Sequence, residues 1–256
     1  MLIALTGYTA YFDASREGNK EIMVAGYVST VEEWAQFEAG WKLTLAKFDV
    51  PYFHMREFTV SEGAFKHPKW KCESYRVAFL SDLVRIIKGW TMASVACRME
   101  QNVFDKYNSI YELDKRFNTY AICGRDCAAQ VRNFIRTECN PDLPIAYIFD
   151  RGDEGRGFLT AEMEASKLPP PVFKRSRPDP RNPEMDKIDP FHAQLQACDF
   201  AAWELRRGVK DSLIGKRGKG LRTSLRLLAG MKHIWKETKE SDLRGLIQVA
   251  GINKRT

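Results

Sequence analysis

The sequence predicts an α/β protein, one β-sheet layered with helices, and three segments carry that prediction. Tyr8 to Asp13 and Ile22 to Ser29 are short apolar runs separated by the polar Ser15-Arg16-Glu17-Gly18-Asn19. That is the pattern of a β-hairpin with a loop longer than the tightest type. Directly after it, Val31, Trp34, Phe37, Trp41, Leu45 and Phe48 recur at helical intervals. Further on, Ile145 to Phe149 is a compact apolar strand that ends on Asp150. Strands alternating with helices build layered α/β architectures.

The remaining elements follow in chain order. Thr30 stands three residues before Glu33, the spacing of a capping box, so a helix starts at Val31 and Pro51 stops it. Tyr52-Phe53-His54 is a brief extended segment. Ser74 to Lys88 reads as a second amphipathic helix closed by Gly89, and Thr91 to Arg98 as a strand. Tyr111 to Glu138 predicts one long helix, with Gly124 the natural point for a break. From Leu168 to Pro190 proline and charge mark a surface loop around one short strand at Pro171 to Lys174. Pro190 opens a helix that runs to about Val209. Lys210 to Gly220 is a basic, glycine-containing loop, and one or two helices are expected after it. The chain therefore divides into an α/β domain over residues 1–209 and a basic helical C-terminal extension over 210–256 packed on the same domain.

Composition narrows the class. Of 256 residues, 44% are hydrophobic and 29% charged, an ordinary globular balance. A net charge of +7 and a pI near 9.0 favour polyanionic partners, although a basic surface kept for solubility explains the charge equally well. Met1 to Phe12 is apolar without a basic leader, so it reads as a buried strand and not a signal peptide. No stretch approaches the roughly 20 apolar residues of a membrane helix. A soluble, cytoplasmic protein without membrane association is expected. The six cysteines, Cys72, Cys97, Cys123, Cys127, Cys139 and Cys198, form no CxxC pair and read as reduced thiols.

Three acids stand where a metal site would need them. Asp13 lies near the end of the first strand, Asp150 at the end of a later one, and Asp199 inside the late helix. Hard cations take oxygen ligands, and phosphoryl chemistry needs carboxylates converging from separate rigid elements. Each acid has an innocent alternative: a turn at Asp13, backbone capping at Asp150, a surface position for Asp199. Asp199 fits that alternative least, since it sits between Cys198 and Phe200-Ala201-Ala202-Trp203. His192, Gln196, Asp199 and Trp203 share one helical face, bordering an apolar stripe of Leu195, Cys198, Ala202 and Leu205. A solvated helix side would look the same. Gly215-Lys216-Arg217-Gly218-Lys219-Gly220 lacks the ending of a phosphate-binding loop, and no Gly-x-Ser-x-Gly elbow is present.

Four short motifs in order carry a resemblance: Tyr11-Phe12-Asp13-Ala14-Ser15, Phe53-His54-Met55-Arg56-Glu57-Phe58, Phe149-Asp150-Arg151-Gly152 and Gln194-Leu195-Gln196-Ala197-Cys198-Asp199. Together, over roughly Tyr8 to Arg207, the chain resembles domain-of-unknown-function family 3800. That family pairs an Asp-Glu motif near the N-terminus with a Gln-x-x-Asp motif near the C-terminus, and itself resembles ribonuclease H-like nucleases and integrases. The resemblance implies a ribonuclease H-like mixed β-sheet flanked by helices. It also implies a metal site at Asp13 and Asp199, with Gln196 beside it. Ala14 departs from the pattern, standing where the family usually has glutamate.

The resulting expectation is a nuclease that hydrolyses phosphodiesters of RNA or DNA with Mg²⁺ or Mn²⁺. Asp13, Asp150 and Asp199 hold the metal, and Glu57 is a further catalytic carboxylate. His54 serves as a proton relay, and Gln196 orients Asp199 or touches substrate. Lys216, Arg217 and Lys219, with Arg206, Arg207, Lys210, Arg222 and Arg226, contact the phosphate backbone. The alternative, favoured by Ala14, is a catalytically inactive nucleic-acid-binding module of the same fold.

Overall fold

The computed structural model describes residues 7–178, 184, 186, 190–213, 228 and 230–254. Among them, one sheet contains β1 (Tyr8–Arg16), β2 (Glu21–Thr30), β3 (Ala93–Glu100), β4 (Ile145–Asp150), β5 (Val172–Lys174) and β6 (His233–Glu237), in the order β5-β4-β1-β2-β3-β6. The hairpin pairs Tyr8 with Thr30 through Arg16 with Ile22, antiparallel, and β2 is also antiparallel to β3. β4 runs parallel to β1, β5 to β4, and β6 to β3, so β2 alone points against the rest.

Among the described residues the α-helices are α1 (Val31–Lys47), α2 (Met55–Val60), α3 (Glu73–Trp90), α4 (Gln101–Tyr111), α5 (Thr119–Glu138), α6 (Arg156–Ala165), α7 (Ala193–Leu213) and α8 (Glu240–Val249). The predicted capping box opens α1. Glu33 N–H donates to Thr30 Oγ1 at 3.2 Å, and Thr30 N–H to Glu33 Oε2 at 3.5 Å. Trp34, Phe37, Trp41 and Leu45 are its buried stripe, as the periodicity requires.

Strand alternation sends side chains into two cores, one on each face of the sheet. Tyr8, Ala10 and Phe12 of β1, with Tyr147 and Phe149 of β4, pack under α4, α5, α6 and α8. Phe12 and Phe149 stack with ring centroids 4.9 Å apart. On the other face, Tyr11 of β1 and Met23, Ala25 and Tyr27 of β2 pack under α1, α2, α3 and α7. β2 is buried from Ile22 to Ser29, as expected for a central strand covered on both sides.

The helix expected over Tyr111 to Glu138 forms only from Thr119 onward, as α5; α4, which the sequence pattern did not show, ends at Tyr111, and a 3₁₀ turn at Leu113–Lys115 lies between the two. α5 continues unbroken through Gly124. A Cβ there would stand 3.0 Å from Leu159 Cδ1, so the glycine serves close packing against α6 and not a break. α3 likewise runs past Gly89 to Trp90. The C-terminal extension, expected to be helical, contributes β6 to the sheet edge, and α8 buries Leu243 and Ile247 in the first core. The six cysteines are free thiols, with Cys97, Cys123, Cys127 and Cys198 buried. Among the described residues no helix is long and apolar enough to cross a membrane.

Candidate functional site

β1 and β4 are the place where the strand order changes direction, with β2 and β3 on one side and β5 on the other. The carboxyl ends of parallel strands at such a switch point form a natural crevice. The last paired residues there are Phe12 and Phe149, and Asp13 and Asp150 follow them directly. Alternation places Asp13 on the face of Tyr11 and Asp150 on the face of Ile148, both toward the core that contains α7. Asp199 projects from α7. The three acids line one cleft of about 580 Å³, together with Tyr52, His54, Glu57, Arg151, Arg175 and Arg177.

Backbone amides hold each carboxylate. Ala14 N–H donates to Asp13 Oδ1 at 2.7 Å, and Met55 N–H to Asp199 Oδ2 at 2.6 Å. Asp150 accepts from Gly152 N–H at 2.7 Å through Oδ1 and from Ser176 N–H at 3.0 Å through Oδ2. These bonds do not balance the charge. Burial pushes Asp13 well above the usual carboxylate range, and Asp150, Asp199 and Asp153 push it further. Burial also raises Asp199, against the pull of His54, the Met55 amide and Arg177, while Asp150 adds to the rise.

The acids share a cleft, yet among the described residues no group of three or more His, Cys, Asp or Glu is arranged to hold a metal ion directly. The two observations are compatible in physical terms. All three carboxylates turn toward backbone N–H donors, and bonds of that kind hold an acid in the cleft without grouping it with the others as a ligand.

Ala14 packs against the opposite core, on the far side of β1 from Asp13. A side chain at that position is directed away from the face of the three acids, although the residue borders the cleft.

Gln196 neither touches Asp199 nor lines the cleft, contrary to its expected role. Its Oε1 accepts from Trp41 Nε1 and from Phe53 N, both at 2.9 Å, and its Nε2 donates to Ser176 O at 2.9 Å. It is fully buried. Its action on the site is indirect: it fixes the segment of Phe53 to Met55, whose amide holds Asp199, and Ser176, whose amide holds Asp150.

Glu57 lines the cleft with both oxygens engaged. Oε2 accepts from Tyr52 OH at 2.8 Å and Ala64 N–H at 3.4 Å, and Oε1 lies 3.4 Å from Arg177 Nη1. The turn around it is built for this placement. Gly63 has φ +55°, and a Cβ there would stand 1.8 Å from Glu57 Oε2. His54 Nδ1 is 3.5 Å from Glu57 Oε1 and has no hydrogen-bond partner.

Lys216, Arg217, Lys219, Arg222 and Arg226 lie outside the described residues, and nothing of the Lys210 side chain is described. Arg206, expected to join them on phosphate, is instead buried and bound to Ser15 Oγ at 3.0 Å and Glu17 Oε2 at 3.1 Å. It ties α7 to the hairpin. The Arg207 guanidinium lies 5.5 Å over the Trp203 ring.

Spacing and motif in the sequence do not single out Asp153, Tyr52, Arg175 or Arg177. Asp153 is pushed up to about 7 by burial, with Arg16 pulling it down and Asp150 adding to the rise. Its Oδ2 has no hydrogen-bond partner. Its signal was the second acid in Asp150-Arg151-Gly152-Asp153; Arg175 and Arg177 stood in a proline-rich stretch that looked like plain loop.

Comparison of the chain with protein-family models, with curated proteins and with solved structures finds no match.

Proposed function

We propose that the protein is a divalent-metal-dependent phosphodiesterase acting on RNA or DNA, built on a ribonuclease H-like domain. One observation carries the reading: Asp13, Asp150 and Asp199, far apart in sequence and on three different elements, line one cleft at the carboxyl ends of adjacent parallel strands. Asp13 and Asp199 are raised by burial and by their acidic neighbours, which is the electrostatic deficit that a cation offsets. The donor set is all carboxylate oxygen, suited to Mg²⁺ or Mn²⁺ and not to a soft metal. The mixed sheet with helices on both faces supports the fold assignment.

In this reading Asp13, Asp150 and Asp199 hold the metal, which when bound supplies an activated water and neutralises charge on the phosphate. The chain's own groups do the rest. The Met55 and Ser176 amides fix Asp199 and Asp150, and Gln196 fixes the segments that carry those amides. His54, between Asp199 and Glu57, takes or returns a proton at Nδ1. Arg151, Arg175 and Arg177 draw an anionic strand into a cleft that would otherwise repel it.

The rival reading, a nucleic-acid-binding module without turnover, draws support from the absence among the described residues of a ready-made three-ligand metal group. Labelled single- and double-stranded RNA and DNA, incubated with Mg²⁺ or Mn²⁺ and with EDTA, separate the two. Metal-dependent cleavage lost in Asp13→Asn and Asp199→Asn establishes the phosphodiesterase. Binding without cleavage under every metal condition establishes the module.

A further inference from the structure

Two oppositely charged groups meet across the cleft, and the protein holds them very differently. Glu57 is fixed: its side chain is 18% exposed, Tyr52 and Ala64 bind Oε2, and the Gly63 turn leaves its carboxylate no room to shift that way. Arg177 is loose. Its side chain is 53% exposed and meets Glu57 through a single long contact of 3.4 Å. A half-exposed ion pair of that kind contributes little to stability. The guanidinium nonetheless stands close enough to Asp199 to lower that acid's affinity for a proton. The same cation therefore pairs with Glu57 while its charge reaches Asp199 in the same cleft.

We propose that Arg177 is the anion anchor of the cleft, parked on Glu57 in this structure and turning from it to hold a phosphodiester oxygen of a nucleic-acid strand beside the acids. The proposal rests on the phosphodiesterase reading and assigns Glu57 to the parking of Arg177 and not to the metal. Exchange of partners is favourable because a guanidinium binds a phosphate through two parallel N–H bonds, whereas here it touches Glu57 through one. Glu57 keeps the arginine aligned and limits its capture of adventitious anions, since any anion has to displace the carboxylate first. A lysine in its place offers a point charge without the fork, so it retains attraction and loses alignment.

The test is binding, not turnover, and uses the full chain in EDTA at low ionic strength. The probes are a fluorescein-labelled single-stranded 12-mer of oligothymidylate, read by anisotropy, and thymidine 5′-monophosphate as its competitor. Arg177→Ala is expected to weaken oligothymidylate binding about tenfold, the value of one lost charge-assisted contact, and Arg177→Lys less. Glu57→Gln is expected to tighten binding severalfold, and the double variant to behave as Arg177→Ala alone, because parking has no effect once the arginine is gone. Competition by the monophosphate only at concentrations far above the oligonucleotide identifies a strand and not a small phosphate as the ligand.

The proposal is overturned if Arg177→Ala binds within twofold of the parent, or if the parent binds neither probe. It is also overturned if the gain from Glu57→Gln persists in the Arg177→Ala background, or if the monophosphate competes on equal terms. Because no metal is present, a failed cleavage assay refutes the phosphodiesterase reading without touching this readout.

Discussion

Trp41 donates its indole N–H to Gln196 Oε1 across 2.9 Å, and that bond ties the helix that follows the hairpin to the helix that carries Asp199. The same oxygen accepts the Phe53 amide, and the Gln196 amide nitrogen reaches Ser176 O. A buried side chain with partners in three segments is a structural keystone of the cleft.

Gln196→Ala should therefore cost stability and activity together. It leaves the Trp41 indole N–H, the Phe53 amide and the Ser176 carbonyl without their partner. A buried polar group stripped of its bond costs about 1–3 kcal/mol, so a loss of about 3 kcal/mol or more is expected. Chemical unfolding measures it. Gln196→Glu keeps both accepted bonds but buries an acid and turns a carboxyl oxygen toward the Ser176 carbonyl, so it should be the milder variant only at low pH, where the acid is protonated and can donate. Equal loss in the two at low pH would place the effect outside the hydrogen bonds.

Asp13→Asn tests the opposite kind of residue. Burial and three acidic neighbours make the folded protein hold the Asp13 proton more tightly than the unfolded chain does. Asp13 thus favours folding at low pH and opposes it as pH rises through its elevated range. Asparagine keeps an oxygen for the Ala14 amide and removes the charge. In EDTA at pH 8 its melting temperature should equal or exceed that of the parent, by about 2–4 °C per kcal/mol relieved, with the difference vanishing near pH 4. Metal-dependent cleavage should fall by more than the 10–100-fold typical of groups that merely orient a ligand. A variant that melts lower in EDTA would mark Asp13 as a structural acid.

How much of this was legible in the sequence depends on range. The hairpin, the capping box at Thr30 and Glu33, and the apolar stripe of α1 are local patterns, and each folds as its spacing predicts. Asp13, Asp150 and Asp199 were visible because each ends or interrupts an apolar run, where an acid has a cost unless something offsets it. β6 was missed because His233-Ile234-Trp235-Lys236-Glu237 alternates weakly and gains its strand only from the β3 edge. Gln196 was misjudged for a related reason. Spacing placed it on the polar face with Asp199, and nothing local shows that Trp41 and Phe53, over 140 residues earlier, cover that face. Arg177 had no periodic element around it from which to read a position.

Asp153 gives the protein a pH dependence of its own. Its carboxyl rises from the ordinary value near 4 in the unfolded chain to about 7 in the folded protein. Its contribution to stability is complete below pH 4 and is lost as pH rises to 7, because only the folded state still holds the proton in that window. Thermal unfolding in EDTA between pH 4 and 8 should show Asp153→Asn matching the parent at the acid end and surpassing it progressively toward neutrality. Curves that stay parallel would show that Asp153 titrates alike in both states.

Metal addition tests whether Asp13, Asp150 and Asp199 hold a cation while Glu57 serves Arg177. A ligand bound only by the folded state stabilises by about 2.7 kcal/mol at one hundred times its dissociation constant, or roughly 5–10 °C for a chain of this size. Mn²⁺ should raise the melting temperature of the parent by an amount in that range, and Mg²⁺ should act at higher concentration. Asp13→Asn, Asp150→Asn and Asp199→Asn should each abolish most of the shift, since each removes a carboxylate from one cleft. Glu57→Gln should keep it. The Glu57 oxygens already serve Tyr52, Ala64 and Arg177, and a glutamine oxygen can still accept from Tyr52 and Ala64. The turn at Gly63 then stays in place, so any loss of the Mn²⁺ shift in Glu57→Gln reads directly as loss of a ligand. That result would return Glu57 to the metal and require another partner for Arg177.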